Sequence, residues 1–148
     1  MGLYRLIYAS RAQDPSREDL RAILDACERN NPAAHLTGML LFDAGAFVQL
    51  LEGPRGPLTQ RFVAIAGDSR HHGVEILTAG PIESRLFPDW SMHYAGHAGA
   101  HGAMLKRYSC GPRFDPFSMT PGAVEQMCLE FSAMALSAPP LDPAAAAP

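Results

Sequence analysis

The chain has 148 residues, 47% of them hydrophobic and 18% charged, the composition of one soluble domain long enough to bury a real core. Its 12 basic and 15 acidic residues leave a formal charge of −3 with no basic cluster, so composition offers no electrostatic footprint for nucleic acid or a membrane surface. MGLYRLIYASR lacks a signal-peptide pattern and no apolar run approaches the roughly 20 residues of a bilayer span, while Cys27, Cys110 and Cys128 make neither an even disulfide set nor a CxxC pair; a cytoplasmic protein with reduced thiols is expected.

In chain order, LYRLIYAS (3–10) alternates Tyr4, Leu6, Tyr8 and Ser10 on one face with Leu3, Ile7 and Ala9 on the other, a first strand with no solvent-only face. Ser16 and Asp19 suit a helix N-terminus, and Leu20, Ile23, Leu24 and Cys27 follow at helical spacing until Pro32 intervenes. HLTGMLLFDAGAFVQLLEG predicts two apolar strands, 35–42 and 46–52, around a short hairpin loop at Asp43–Ala44–Gly45. A second helix is expected over 57–66, with Leu58, Phe62 and Ile65 stacked and Gly67 as its stop. VEILTAGPI (74–82) predicts a fourth strand and WSMHY (90–94) a short fifth. A short helix near Met104–Tyr108 and a longer one carrying Val124, Met127, Cys128, Phe131 and Leu136 as an apolar stripe complete the ordered chain. SAPPLDPAAAAP (137–148) is too low in complexity to bury surface and is expected to be disordered.

This order of elements is that of the ferredoxin-like unit, so the fold class is α/β: a βαββαββ sandwich with two helices on one sheet face and a C-terminal helical extension covering the other. The topology leads us to expect strands 1 and 3 as parallel central neighbours, with Tyr8 and Gln49 facing the layer between sheet and helices. Gln49 is the odd residue here, a primary amide between Phe47 and Leu51 on the same strand face. Unpaired inside a protein, such a group costs roughly 1–3 kcal/mol.

Nothing in the chain resembles a nucleophile, base and acid set, and GPRGP at 53–57 lacks the lysine and spacing of a phosphate loop, so no enzymatic role is expected. His93, His97 and His101 are spaced by four and on a helix would line one face fit for a metal, but AGHAGAHG is too glycine-rich for a firm helix and no carboxylate or thiol completes the set; no metal is expected. A ferredoxin-like ligand-binding or small enzyme module is one reading of such a chain, in which Tyr8 and Gln49 are structural polar residues.

Five segments in order, YAS at 8–10, ERNNPAAHLTGMLLF at 28–42, FVQLLEGP at 47–54, DSRHHGVEIL at 68–77 and FPDWSMHY at 87–94, resemble the BLUF family, blue-light sensors that hold FAD noncovalently. The resemblance covers about residues 3–95 and implies a photosensory domain over 1–95, with 96–136 similar to the two-helix extension of short BLUF proteins. It also implies a bonding partner for Gln49, because the family's first-strand tyrosine and third-strand glutamine, here Tyr8 and Gln49, form one hydrogen-bonded chain with the flavin. Light-driven electron and proton transfer from Tyr8, with return, would leave the Gln49 amide rotated or tautomerised. By the same resemblance Asn31 bonds the flavin edge, Arg70 and His71 serve its polar groups, Ile23 and Ile65 sandwich the ring, and Ser10 either bonds the Trp/Gln region or merely ends its strand. Trp90 and Met92 fall on the switching strand and would report the state of Gln49, through the C-terminal helices, to a downstream protein partner. A homo-oligomer, with neither nucleic acid nor membrane as partner, is expected.

Overall fold

A computed structural model describes residues 2–13, 15–96 and 101–136. Its sheet has five strands in the order β4-β1-β3-β2-β5: β1 (Leu3–Arg11), β2 (Thr37–Asp43), β3 (Ala46–Pro54), β4 (His72–Ile82) and β5 (His93–Gly96). Helices α1 (Arg17–Asn30) and α2 (Arg55–Ala66) occupy the two crossovers. The short α3 (Gly102–Lys106) and the longer α4 (Pro121–Ala135) follow the sheet. The architecture is ferredoxin-like, as expected.

One expectation about direction is overturned: β1 and β3 are central neighbours, but antiparallel. Each strand–helix–strand crossover returns the chain in its original direction, so β1 runs with β2; β2 and β3 form a hairpin and oppose each other, and β1 must therefore oppose β3. Antiparallel pairing sets Tyr8 directly opposite Gln49 and Arg5 opposite Glu52, and directly opposed residues share a face.

Local chemistry accounts for the element ends. Ser16 and Asp19 form a reciprocal capping box, each side chain accepting from the other's backbone N–H at 3.0 Å. The hairpin turns on Ala44 and Gly45, both at positive φ (49° and 78°), which is the two-residue geometry that matches strand twist. The second helix starts at Arg55, two residues before the expected Pro57, which still falls in a first turn that needs no N–H. The tail 137–148 lies outside the described residues.

The fifth strand is displaced from the expected 90–94 to His93–Gly96, where it runs parallel to β2. The Ser91 carbonyl is taken by the Asn31 Nδ2–H at 2.8 Å, and the Trp90 carbonyl meets only the Gly38 N–H at 3.2 Å, so ladder pairing begins at His93. Trp90 and Met92 thus precede the strand. With His93 in a strand and His97 outside the described residues, the helical histidine face is not formed; among the described residues no group of three His, Cys, Asp or Glu could hold a metal.

Both sheet faces are buried. Leu6, Tyr8, Leu40, Phe47 and Leu51 meet Leu20 and Leu24 of α1 and Leu58 of α2, while Ile7, Met39, Leu41, Val48 and Leu50 meet Val124, Met127, Cys128 and Phe131 of α4. On this second face Glu52 is wholly buried. Its carboxylate accepts from the Leu86 and Phe87 backbone N–H groups at 2.9–3.0 Å and from the Arg5 guanidinium at 2.8 Å. Arg85 donates to Thr37 Oγ1, the Glu52 carbonyl and the His35 carbonyl, tying the 83–87 segment across the ends of β2 and β3.

Removing Glu52 would leave two backbone donors unpaired away from water and take from Arg5 its short partner, leaving it Glu125 and the Ser84 carbonyl at 3.4 Å. Glu52→Ala should therefore lower the unfolding free energy by about 3–5 kcal/mol, read by urea denaturation. A loss below about 1 kcal/mol, the scale of an exposed pair, would mean that water replaces the carboxylate there.

Candidate functional site

Between α1, α2 and the sheet lies a cleft of about 130 Å³. Ile23, Ala26 and Cys27 of α1 form one wall, Arg61, Ala64 and Ile65 of α2 the other, with Leu40, Phe47, Tyr8 and Gln49 as the floor. Asn31 closes one end and Asp68, Arg70 and His71 the other side of the mouth. The helical spacing of Ile23 and Cys27, and of Arg61 and Ile65, puts each pair on the helix face turned to the cleft.

The floor carries its polar chemistry in one chain. The Tyr8 hydroxyl donates to Gln49 Oε1, and Gln49 Nε2 donates to the Met92 sulfur at 3.6 Å. Both Tyr8 and Gln49 are 2% exposed. Burial holds the Tyr8 phenol well above its usual range, with Cys27 and Asp68 adding to the effect, so the ring stays neutral and keeps the proton it donates. Phe62 and His71 flank the Tyr8 ring at 5.5 and 6.2 Å between centroids.

At the closed end, Asn31 is buried, and its Nδ2 serves the Ser91 carbonyl while its Oδ1 has no partner. Arg61 Nε is a second buried polar atom on this lining with none. Burial pushes the Cys27 thiol up to about 11, against the pull of the Arg61 guanidinium. At the mouth, Arg70 clamps Asp68 through Nε at 3.0 Å and Nη2 at 2.5 Å, and that guanidinium holds the carboxyl down at about 2. His71 Nε2–H donates to the Ile65 carbonyl and, in the neutral ring, Nδ1 accepts from the Ser10 hydroxyl, each at 2.6 Å.

Of the residues singled out from sequence, Tyr8, Gln49, Asn31, Ile23, Ile65, Arg70 and His71 converge on this cleft. Ser10 does not line it; contrary to the expected contact with Trp90 or Gln49, its hydroxyl orients His71, because β1 points it toward the end of α2. Met92 lies behind Gln49, and half-buried Trp90 sits edge-on to His93 at 5.8 Å, away from the lining. Cys27, Arg61 and Asp68 were not singled out as site residues. The signal was present for two of them: Cys27 lies four residues from both Ile23 and Asn31, and Arg61 four from Ile65.

An apolar slot whose lining carries an orphaned donor and an orphaned acceptor suits a flat heteroaromatic ring with polar edges. The family model described as "Sensors of blue-light using FAD" matches residues 3–93. The photoactivated adenylate cyclase subunit beta of Euglena longa is 39% identical over 92 residues, 61% of this chain and 11% of that protein. Subunit alpha of Euglena gracilis is 38% identical over 86 residues, 57% of this chain and 8% of that protein. This chain thus spans about a tenth of the length of the curated relatives it matches. Among solved structures, the dark state of BlrB, a BLUF protein, superposes with a TM-score of 0.75 at 29% identity over 90% of this chain and 97% of that one. The photo-activated state of BlsA gives 0.79 at 26% identity over 88% and 94%.

The three cysteines are free, but only Cys110 is exposed. With Cys27 held at about 11 and Cys128 at about 12, the native protein at pH 8 should release colour from a disulfide thiol reagent at Cys110 alone, and at the other two only after denaturation. Mass mapping of the labelled peptide checks this; rapid labelling of Cys27 would show a thiolate in the cleft.

Proposed function

The chain belongs to the BLUF family of flavin-based blue-light sensors, and we propose that it holds FAD noncovalently in the cleft between α1 and α2 and converts blue light into a rearranged hydrogen bond at Gln49. The observation that carries this reading is the buried amide of Gln49, fed by the Tyr8 hydroxyl on one side and backed by the Met92 sulfur on the other, at the floor of an apolar slot. FAD rather than another flavin follows the family's own description.

Bound flavin would supply blue-light absorption and, once excited, a one-electron acceptor. The residues divide the remaining work. Ile23 and Ile65 would clamp the faces of the ring, the free Asn31 Oδ1 would take a ring N–H, and Arg70, His71 and, through His71, Ser10 would organise the polar rim. Tyr8, kept neutral by burial, would give up an electron and its hydroxyl proton and then recover both, so that no net redox change remains. Gln49 would be what differs afterwards. Its amide, turned or tautomerised, would present a stronger donor to the flavin carbonyl, the origin of the expected red shift.

The BLUF domain is a photosensor domain, not itself catalytic, and BLUF domains relay signals to effectors such as the cyclases among the relatives. For this chain we propose residues 1–95 as sensor and 96–136 as output segment. The route runs from Gln49 through Met92 and neighbouring Trp90 into β5, whose Ala95 packs with Leu105 and Phe131 under α3 and α4. These helices would present the light-dependent surface to a downstream protein or to a second copy of the chain. Among the described residues no helix is long and apolar enough to cross a membrane.

The purified protein should be yellow and show a reversible red shift under blue light. Tyr8→Phe and Gln49→Leu should each abolish the shift while flavin stays bound, since other groups hold the ring; absorption spectra before and after illumination decide this. A protein that stays colourless after reconstitution with FAD sinks the reading, and a normal shift in either variant removes the Tyr8–Gln49 chain from it.

The output assignment has a separate check. Hydrogen exchange over 101–136 should differ between dark and light in the wild type, and the difference should vanish in Met92→Ala with the red shift retained. Equal protection in both states of the wild type excludes this segment as the output.

A further inference from the structure

The cleft contains a polar atom that the reading above leaves without work. Arg61 Nε is buried, bears a hydrogen and has no partner, although the residue sits on the helix face that forms the wall. Arg70, the other arginine on the lining, is spent: Nε and Nη2 close a two-pronged pair with Asp68. Burying a guanidinium N–H unpaired is costly, the more so because the group is charged. A ligand acceptor would remove that cost.

The neighbours narrow the nature of that acceptor. Asn31 Oδ1 and Arg61 Nε are both unpartnered on one cleft lining, and Asn31 is tied through the Ser91 carbonyl to the segment carrying Met92, the partner of Gln49. The free polar groups form a set of one acceptor, Asn31 Oδ1, and two donors, a Gln49 N–H and Arg61 Nε. Its complement is a ring edge that offers two acceptors and an N–H donor, as an imide does.

We propose that Arg61 is a flavin-binding residue that donates from Nε to the C2 carbonyl oxygen of the isoalloxazine, completing a three-point clamp on the imide edge with Asn31 at N3–H and Gln49 on the C4 carbonyl side. This rests on the flavin reading above and adds a contact to it. The guanidinium then grips the ring itself rather than the phosphate tail, so it is indifferent to whether the flavin is riboflavin, FMN or FAD. Its positive charge also favours electron density on the C2 carbonyl.

The test uses the full chain, stripped of flavin and titrated separately with riboflavin, FMN and FAD. Arg61→Met should weaken all three by a similar factor of about tenfold or more, the scale of one hydrogen bond from a charged donor. With flavin labelled with ¹³C at C2, the isotope-assigned C2 carbonyl stretch should rise in frequency in the variant, a signature that a packing defect would not reproduce. Arg61→Gln, a polar replacement that keeps N–H donors, is measured in parallel, with folding of both variants checked by circular dichroism, so that a folding defect in Arg61→Met does not decide the result. It should weaken the three flavins equally, with a smaller rise in the C2 band. Affinity lost for FMN and FAD but kept for riboflavin would place Arg61 on a phosphate and overturn the proposal, as would an unchanged C2 band in both folded variants. If the wild type binds none of the three flavins, the failure lies with the cofactor reading itself.

Discussion

The structure is organised around one requirement, that a primary amide in the middle of an apolar sheet face be satisfied. Gln49 has two N–H donors and a carbonyl, and within the protein it finds the Tyr8 hydroxyl for its oxygen and only a thioether, a weak acceptor, for one N–H. The remaining N–H is left for the cleft. Turning such an amide exchanges donor and acceptor at nearly fixed shape. That exchange is what the proposed switch would use, and the apolar surroundings sharpen it, because each pairing is stronger where water is excluded.

Everything that places Gln49 follows from antiparallel pairing. The direct register of Tyr8 with Gln49 brings phenol and amide to the same face without any loop having to position them. The same strand carries Glu52 three residues later on the opposite face, fastened to Arg5 and to the backbone at Leu86 and Phe87. So β3 presents a loosely held polar group to the cleft and a rigidly held one to the layer under α4.

The electrostatics of the cleft are consistent with a neutral floor and a charged rim. Burial keeps the Tyr8 phenol and the Cys27 thiol protonated, while Asp68 stays ionised because Arg70 pairs with it. The rim loop is therefore held by a pair whose contribution is present above the ordinary carboxylate range and lost as pH falls from there toward about 2. The titratable groups at the floor are thus neutral at rest.

Much of this was legible in the linear chain. Period-two spacing located both faces of the first strand, helical spacing the stripes of three helices, the Ser16–Asp19 box marked a helix start, and the isolated amide at 49 announced a site before any partner was known. The resemblance of five short segments supplied the partner residues, and most of them meet in one cleft. What sequence could not carry was anything decided by a pairing between distant segments. The direction of β1 against β3 depends on a crossover and a hairpin taken together, and the late start of β5 depends on Asn31 capturing the Ser91 carbonyl 60 residues away. Ser10 was assigned to the wrong neighbour for the same reason, since its partner His71 lies 61 residues on. Arg61 passed unnoticed because an arginine on a helix is ordinarily solvated, and only the packed structure shows its Nε enclosed without a partner. Local chemistry, propensity and alternation, is written in consecutive residues; which buried donor is left waiting for an acceptor is a property of the closed fold alone.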